Sequence, residues 1–196
     1  MAEIKVLIEG YAKDTGNGWL ASSSVVLVRS GGKTIVTDPG CNRERLLQAL
    51  KKEGLRPGDV DFVFLSHGHV DHALLAGIFD RAKFVTFESL MYDKDRQLEF
   101  DERVMGPDTQ VIKTPGHAHE HCSLVISTDD GVYVVAGDVF WWADGEKQKV
   151  DVNKEDLAHP DELDMKKLIE SRKRILDIAD WVVPGHGKVF KVGKRS

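Results

Sequence analysis

Cysteine is nearly absent: Cys41 and Cys122 are the two in 196 residues. Two cysteines make no disulfide framework, and a reducing, cytoplasmic compartment is the expected setting. No apolar run approaches the ~20 residues that a membrane-spanning helix requires, so no membrane is expected among the partners. Met1-Ala2-Glu3-Ile4-Lys5 opens directly into strand-like sequence, without the apolar stretch of a signal peptide. Excess positive charge is also missing. The net charge is −5 with histidine neutral, which argues against a protein that coats nucleic acid but leaves room for a local basic patch. Asparagine and glutamine number three and four amid abundant charges of both signs, a usage that resembles thermophile proteins. No linker and no low-complexity segment interrupts the chain, and one domain over residues 1–196 is expected. The rest of the composition, 41% hydrophobic and 30% charged, is that of an ordinary soluble globular protein.

The pattern along the chain is rich in strands. Residues 4–9 read as the first. Residues 14–24, rich in Gly, Asn and Ser, read as a loop that Trp19 and Leu20 anchor in the core; a flap over a site is the alternative. Residues 24–29 and 33–37 are strands joined by Ser30-Gly31-Gly32, and Asp38-Pro39-Gly40 stops the second. Leu46, Leu47 and Leu50 give helical periodicity over 43–53, with Gly54 as cap. A buried strand over 60–65, a short helix or turn over 73–79 and a strand over 83–87 follow. Residues 88–108 show no clear period. Strands over 109–113, 122–128 and 132–136 come next, the last two joined by Asp129-Asp130-Gly131, and Gly137-Asp138 ends the third. An amphipathic helix over 160–177, a strand over 181–183 and a short strand over 189–192 precede a basic tail. A hairpin in each half, each followed by a strand-end acid (Asp38, Asp138), suggests a duplicated plan. Two packed sheets with helices outside is the expected layering.

The chemistry concentrates in Ser66-His67-Gly68-His69-Val70-Asp71-His72. Imidazole and carboxylate are the usual ligands of a zinc-like ion. His67 and His69 are two apart, so an extended backbone puts them on one face. Asp71 and His72 are adjacent and cannot easily share that ion, so the spacing suggests two ions side by side. Other apolar runs end on His117, Asp138 and His186, two of them through the wording Pro-Gly-His. Four strand ends meeting at one edge would supply seven ligands, enough for two ions about 3.5–4 Å apart with open positions for water.

His67-x-His69-x-Asp71-His72, Thr114-Pro115-Gly116-His117, Gly137-Asp138 and Pro184-Gly185-His186, in this order, resemble the motifs of the metallo-β-lactamase superfamily. Asp38-Pro39-Gly40 is similar to its first, mainly structural, acidic motif. The resemblance covers nearly the whole chain. It implies an α/β fold, a four-layer αββα sandwich with the metal site at the shared edge of two mixed sheets. It implies that His67, His69 and His117 form one metal site, that Asp71, His72 and His186 form the other, and that Asp138 bridges them across a hydroxide. Two divalent ions are expected, zinc first, with manganese or iron as alternatives. Asp71 and Asp138 are the expected catalytic carboxylates, Asp71 orienting the hydroxide and taking its proton.

The departures narrow the chemistry. Asp138 stands where some β-lactam-hydrolysing members place Cys, which argues against a dedicated β-lactamase. His69 stands where flavo-diiron members carry Glu, which argues against oxygen or nitric oxide reduction. The spacing between Asp138 and His186 leaves no room for the inserted domain of the large RNA-cleaving relatives. The leading expectation is a metallohydrolase for phosphoester or phosphodiester bonds, RNA-like substrates included. A thioester or lactone hydrolase resembling glyoxalase II is the alternative, and a mononuclear-iron persulfide dioxygenase is the alternative of another class. The expected partner is a small molecule or short nucleic acid, and a homodimer stays open. His121 reads as a residue behind the ligands, His119 as exposed or facing substrate. Trp141 and Trp142 read either as a wall that stacks substrate or as one core residue and one exposed. Cys122 reads as a small buried strand residue. Arg172-Lys173-Arg174 and Lys188 read as solvated charges, Lys194-Arg195 as a frayed tail, and His159 as a helix-entry residue.

Overall fold

A computed structural model describes residues 1–88, 90–157 and 161–193. In chain order it begins with β1 (Glu3–Ile8), a hairpin of β2 (Tyr11–Asp14) and β3 (Trp19–Ser22), then β4 (Val25–Ser30) and β5 (Lys33–Thr37). Helix α1 (Arg43–Lys52) leads to β6 (Phe62–Phe64), the short α2 (Val70–Ala73), β7 (Lys83–Val85), β8 (Met91–Asp93) and β9 (Arg96–Leu98). The second half contributes β10 (Thr109–Lys113), β11 (Cys122–Thr128), β12 (Gly131–Trp141), α3 (Met165–Ile178), β13 (Trp181–His186) and β14 (Phe190–Lys191). One sheet runs β1-β4-β5-β6-β7-β8-β9, the other β10-β11-β12-β13-β14.

Strand alternation sorts the apolar residues into layers. Val26 and Val28 of β4 meet Leu124, Ile126, Val135 and Val183 in the core between the sheets. Val25 and Leu27, one residue out of phase, face Leu46 and Leu50 of α1. Val134 and Ala136 of β12 face Leu168 and Ile175 of α3. The order is therefore helix, sheet, sheet, helix. The expected duplication is visible too. In each half an antiparallel hairpin (β4–β5, β11–β12) is followed by a helix and by a strand parallel to the hairpin's second member (β6, β13). Helices α1 and α3 carry side-chain N-caps: Asn42 accepts from Arg45 N, and Asp164 from Lys167 N.

Several expectations need correcting. Residues 14–24 are not a core-anchored loop: β3 pairs with β2, and Trp19 and Leu20 are 49% and 56% exposed. The hairpin forms its own two-stranded sheet, and Trp19 lines a cleft instead. Residues 88–108 contain the β8–β9 hairpin, turned at Lys94 (φ 58°). Its three-residue strands are too short to show a period. Gly137-Asp138 does not end its strand: β12 continues to Trp141, with register shifts on either side of Gly137. The last helix starts at Met165, not near Pro160. Arg172 is not solvated but 2% exposed. Pro160, His159, Lys194 and Arg195 lie outside the described residues.

Leu168 is fully buried and fixes α3 on the second sheet. Leu168→Ala is expected to lower stability by about 2–5 kcal/mol, measured by urea unfolding.

Candidate metal centre

Four segments meet at one edge of the two sheets. The turn after β6 carries His67, His69, Asp71 and His72; the turn after β10 carries His117; β12 carries Asp138; and β13 ends on His186. Backbone shape makes the approach feasible. Gly116 has φ 139°, and a Cβ there would fall 2.3 Å from the Leu168 backbone, so only glycine lets this turn pass under α3. Gly185 lies so close to Asp138 that a Cβ would fall 1.8 Å from its Oδ1.

The donor atoms form two groups: His67, His69, His117 and Asp138 in one, Asp71, His72 and His186 in the other. Within each, the atoms lie within 4.8 Å of one another. Asp138 touches both. Its Oδ2 is 3.4 Å from His117 Nε2 and 3.5 Å from His186 Nε2, and its Oδ1 is 3.2 Å from His72 Nε2.

Each imidazole is oriented from behind. His67 Nδ1 donates to Ser66 Oγ (3.0 Å), which itself donates to Asp38 Oδ2. His72 Nδ1 donates to Asp38 Oδ2 (3.1 Å), and His117 Nδ1 to Asp156 Oδ1 (3.1 Å). His186 Nδ1 faces the carbonyls of Tyr11 (3.0 Å) and Ser22 (3.2 Å). His69 is reversed: its Nε2 donates to Glu162 Oε2 (2.9 Å), leaving Nδ1 inward. With the rear nitrogen occupied in every case, the inner nitrogens converge as a set. This is the usual outer shell of a metal-binding histidine. Among the described residues, buried His67 Nε2, His72 Nε2 and Asp138 Oδ1 have no hydrogen-bond partner, although a buried polar atom without one costs about 1–3 kcal/mol. Donor set and orphaned atoms fit divalent cations.

Electrostatics carry the same message. Burial pushes the Asp138 carboxyl up, but the facing His72 and His186 imidazoliums outweigh it and hold the group well below the usual carboxylate range. Burial pushes His186 down, yet Asp138 and then Asp71 raise it to about 9. His72 is likewise raised by Asp138 and Asp38 against burial, and His117 by Asp156 and Asp138. Burial and the neighbouring His72 cation drive His67 well below its ordinary value.

The remaining sequence candidates fall in different places. Asp38 is buried under His72 and also accepts from Ser66 N (2.7 Å). His121 is buried behind His67, its ring stacked at 5.1 Å, with Nδ1 on Thr114 Oγ1 (3.0 Å). His119 has its Nε2 donating to the Asp161 carbonyl and lies away from the donor groups. Trp141 and Trp142 are both buried, and Trp141 lines a cleft of about 450 Å³ above the donors together with Trp19, Val70 and Leu157. Cys122 is fully buried. Asp156 and Glu162, which hold His117 and His69, were not legible: acids in a polar stretch without periodicity carry no positional signal.

The fold and donor constellation define a metallo-β-lactamase-type hydrolase, and the model of the Metallo-beta-lactamase superfamily matches residues 18–89. The chain belongs to that superfamily. It is 32% identical over 204 residues to Metallo-beta-lactamase domain-containing protein 1 of Xenopus laevis, covering 98% of this chain and 83% of that protein. The Homo sapiens protein of that name is 35% identical over 230 residues, with the same coverage of 98% and 83%. N-acyl homoserine lactonase of Bacillus cereus is 29% identical over 102 residues, 44% of this chain and 40% of that one. A metallo-beta-lactamase family protein of Thermus thermophilus shares the fold at TM-score 0.68 and 19% identity, covering 96% of this chain and 75% of that one. The dizinc quorum-quenching lactonase AidC does so at TM-score 0.57 and 17% identity, covering 86% and 74%.

Raised histidines give a signed pH dependence. Ion-free His186 holds its proton up to about 9 against an ordinary 6.5, so its contribution to stability is complete below 6.5 and lost between 6.5 and 9. The ion-free protein should therefore lose thermal stability over that interval, and ion uptake at about pH 7.5 should release protons. Calorimetry in buffers of different ionisation heat measures the release; uptake without protons contradicts the assignment.

Proposed function

We propose that the chain is a dinuclear metal-dependent hydrolase, with zinc as the expected metal, acting on a compact phosphoester or phosphodiester. The observation that carries this reading is the set of rear-anchored imidazoles converging on Asp138, with His67 Nε2, His72 Nε2 and Asp138 Oδ1 left without a hydrogen-bond partner. Two divalent ions held there would supply Lewis acidity and a bound water of lowered pKa, the chemistry that hydrolysis needs. His67, His69 and His117 would hold one ion and Asp71, His72 and His186 the other, with the Asp138 carboxylate reaching both. The completeness of the second group supports two ions over the single iron of a persulfide dioxygenase.

The chain's own residues set the rest. Asp71 is partly exposed at the cleft floor, with its Oδ2 3.2 Å from His186 Nε2. Its carboxyl is lowered, because hydrogen bonding to His186 outweighs burial, so it stays ionised and can orient a water and accept its proton. Trp19 and Trp141 meet edge to face at 6.0 Å and wall the cleft. Among the described residues the cleft lining includes no Lys or Arg. That favours a small substrate with an aromatic or apolar body, such as a stacked base, over an extended polyanion. The same uncharged walls suit an acyl chain, and the likeness to a lactonase supports a lactone or thioester as the second reading. Cys41 and Cys122, which form no disulfide, accord with a cytoplasmic setting.

Protein loaded with two equivalents of zinc is to be assayed in parallel on bis-p-nitrophenyl phosphate, a lactone and a glutathione thioester. The phosphodiester is expected to turn over fastest, and exclusive lactone or thioester turnover installs the second reading. Asp138→Ala is expected to lower turnover by at least ~10³-fold. Full activity in that variant removes Asp138 from the bridging role.

A further inference from the structure

The two donor groups are supported in different ways. Behind His72 and His186 stand the strand-end acid Asp38 and backbone carbonyls of the β2–β3 hairpin. Behind His117 and His69 stand Asp156 and Glu162, both from the connection between β12 and α3. Asp156 is distinctive because its two oxygens serve different parts of the site. Oδ1 accepts from His117 Nδ1 at 3.1 Å, and Oδ2 accepts from Trp141 Nε1 at 3.1 Å. Its side chain is fully buried. Arg172 supplies a facing charge, with its Nη2 3.6 Å from Oδ2. Arg172 is in turn fastened to three carbonyls: Nε to Val139 (2.9 Å), Nη1 to Val152 (3.1 Å) and Nη1 to Lys154 (2.6 Å). Val139 follows Asp138 directly, so the guanidinium is tied to the strand that carries the central carboxylate.

A buried arginine and a buried aspartate each cost several kcal/mol in desolvation unless paired and hydrogen-bonded. Here the pair is satisfied on nearly every side. It has neither the exposure nor the freedom of a surface salt bridge, and an apolar filler could give neither His117 nor Trp141 its acceptor. We propose that Asp156 is a positioning residue that ties the His117 imidazole to the Trp141 wall, so that ion binding at the His67-His69-His117 group and substrate seating in the cleft are set by one carboxylate. His72 and His186 are instead anchored through Asp38 and the hairpin carbonyls, although Asp38 also reaches His67 through Ser66 Oγ.

This rests on the two-ion reading, and the experiment separates the two. Metal-free wild type and Asp156→Asn are titrated with zinc against a competing chelator, with no substrate present. Asparagine keeps the size but offers one acceptor where two donors need one. The expected result is that one of the two equivalents weakens by roughly 10–100-fold while the other keeps its wild-type affinity. A purely structural role would weaken both alike. Equal weakening of both equivalents, or no change in either, overturns the proposal; absence of any zinc uptake by wild type overturns the two-ion reading itself. Should Asp156→Asn not fold, Trp141→Phe decides, because it removes the indole N–H, one of the hydrogen bonds that orient Asp156 toward His117. It is expected to weaken the same single equivalent by about 2–10-fold, the range of one hydrogen bond. Unchanged affinity for both equivalents in that variant overturns the proposal.

Discussion

A buried, ionised carboxylate is the constraint that the rest of the site obeys. Asp138 sits on a central strand, nearly out of reach of water, and a bare charge there is costly. It persists because His72, His117 and His186 aim their inner nitrogens at its oxygens. Without metal, Asp138 favours their protonated forms and they favour its ionised form, so the three histidines are raised and the carboxyl is lowered together. Divalent cations would satisfy the same geometry by replacing those protons. The site is therefore preorganised for positive charge and needs little rearrangement to accept it.

Layering makes such a cluster tolerable. The donors occupy turns and strand ends at one edge, so the two helix-covered sheets lose little of their core. His67 to His72 follow a strand between two parallel neighbours, and His186 ends one that runs parallel to β12. Parallel strands reached by helical crossovers bring their ends to the same edge, and the duplicated plan supplies that edge twice. Gly116 and Gly185 then let the turns come close enough for distant side chains to touch.

The sequence displayed the donors because their chemistry and spacing are local. His67, His69, Asp71 and His72 are adjacent, and Pro-Gly-His marks two further turns. The layers were legible for the same reason, since Val25 to Val28 alternate between two cores. Less accessible was anything decided by tertiary placement. Arg172 sits in a run of three basic residues and reads as solvent-facing, yet helix phase turns it inward while Lys173 and Arg174 stay exposed. Trp19 reads as a core anchor because tryptophan commonly is one; pairing with β2 carries it out to the cleft instead. The extension of β12 past Gly137 was masked because glycine and aspartate both resemble strand terminators, whereas here a single positive φ of 52° bends the strand without ending it.

That bend explains how one strand serves both the donors and the wall. Residues before Gly137 follow strict alternation between the inner core and α3. After it the register shifts, so Asp138 faces the imidazoles, Val139 offers its carbonyl to Arg172, and Trp141 reaches the cleft. A regular strand would return every second side chain to the same face and could not distribute these roles over four residues. The irregularity thus carries function, with Arg172 Nε bound to the Val139 carbonyl and Asp156 Oδ2 to Trp141 Nε1 within it.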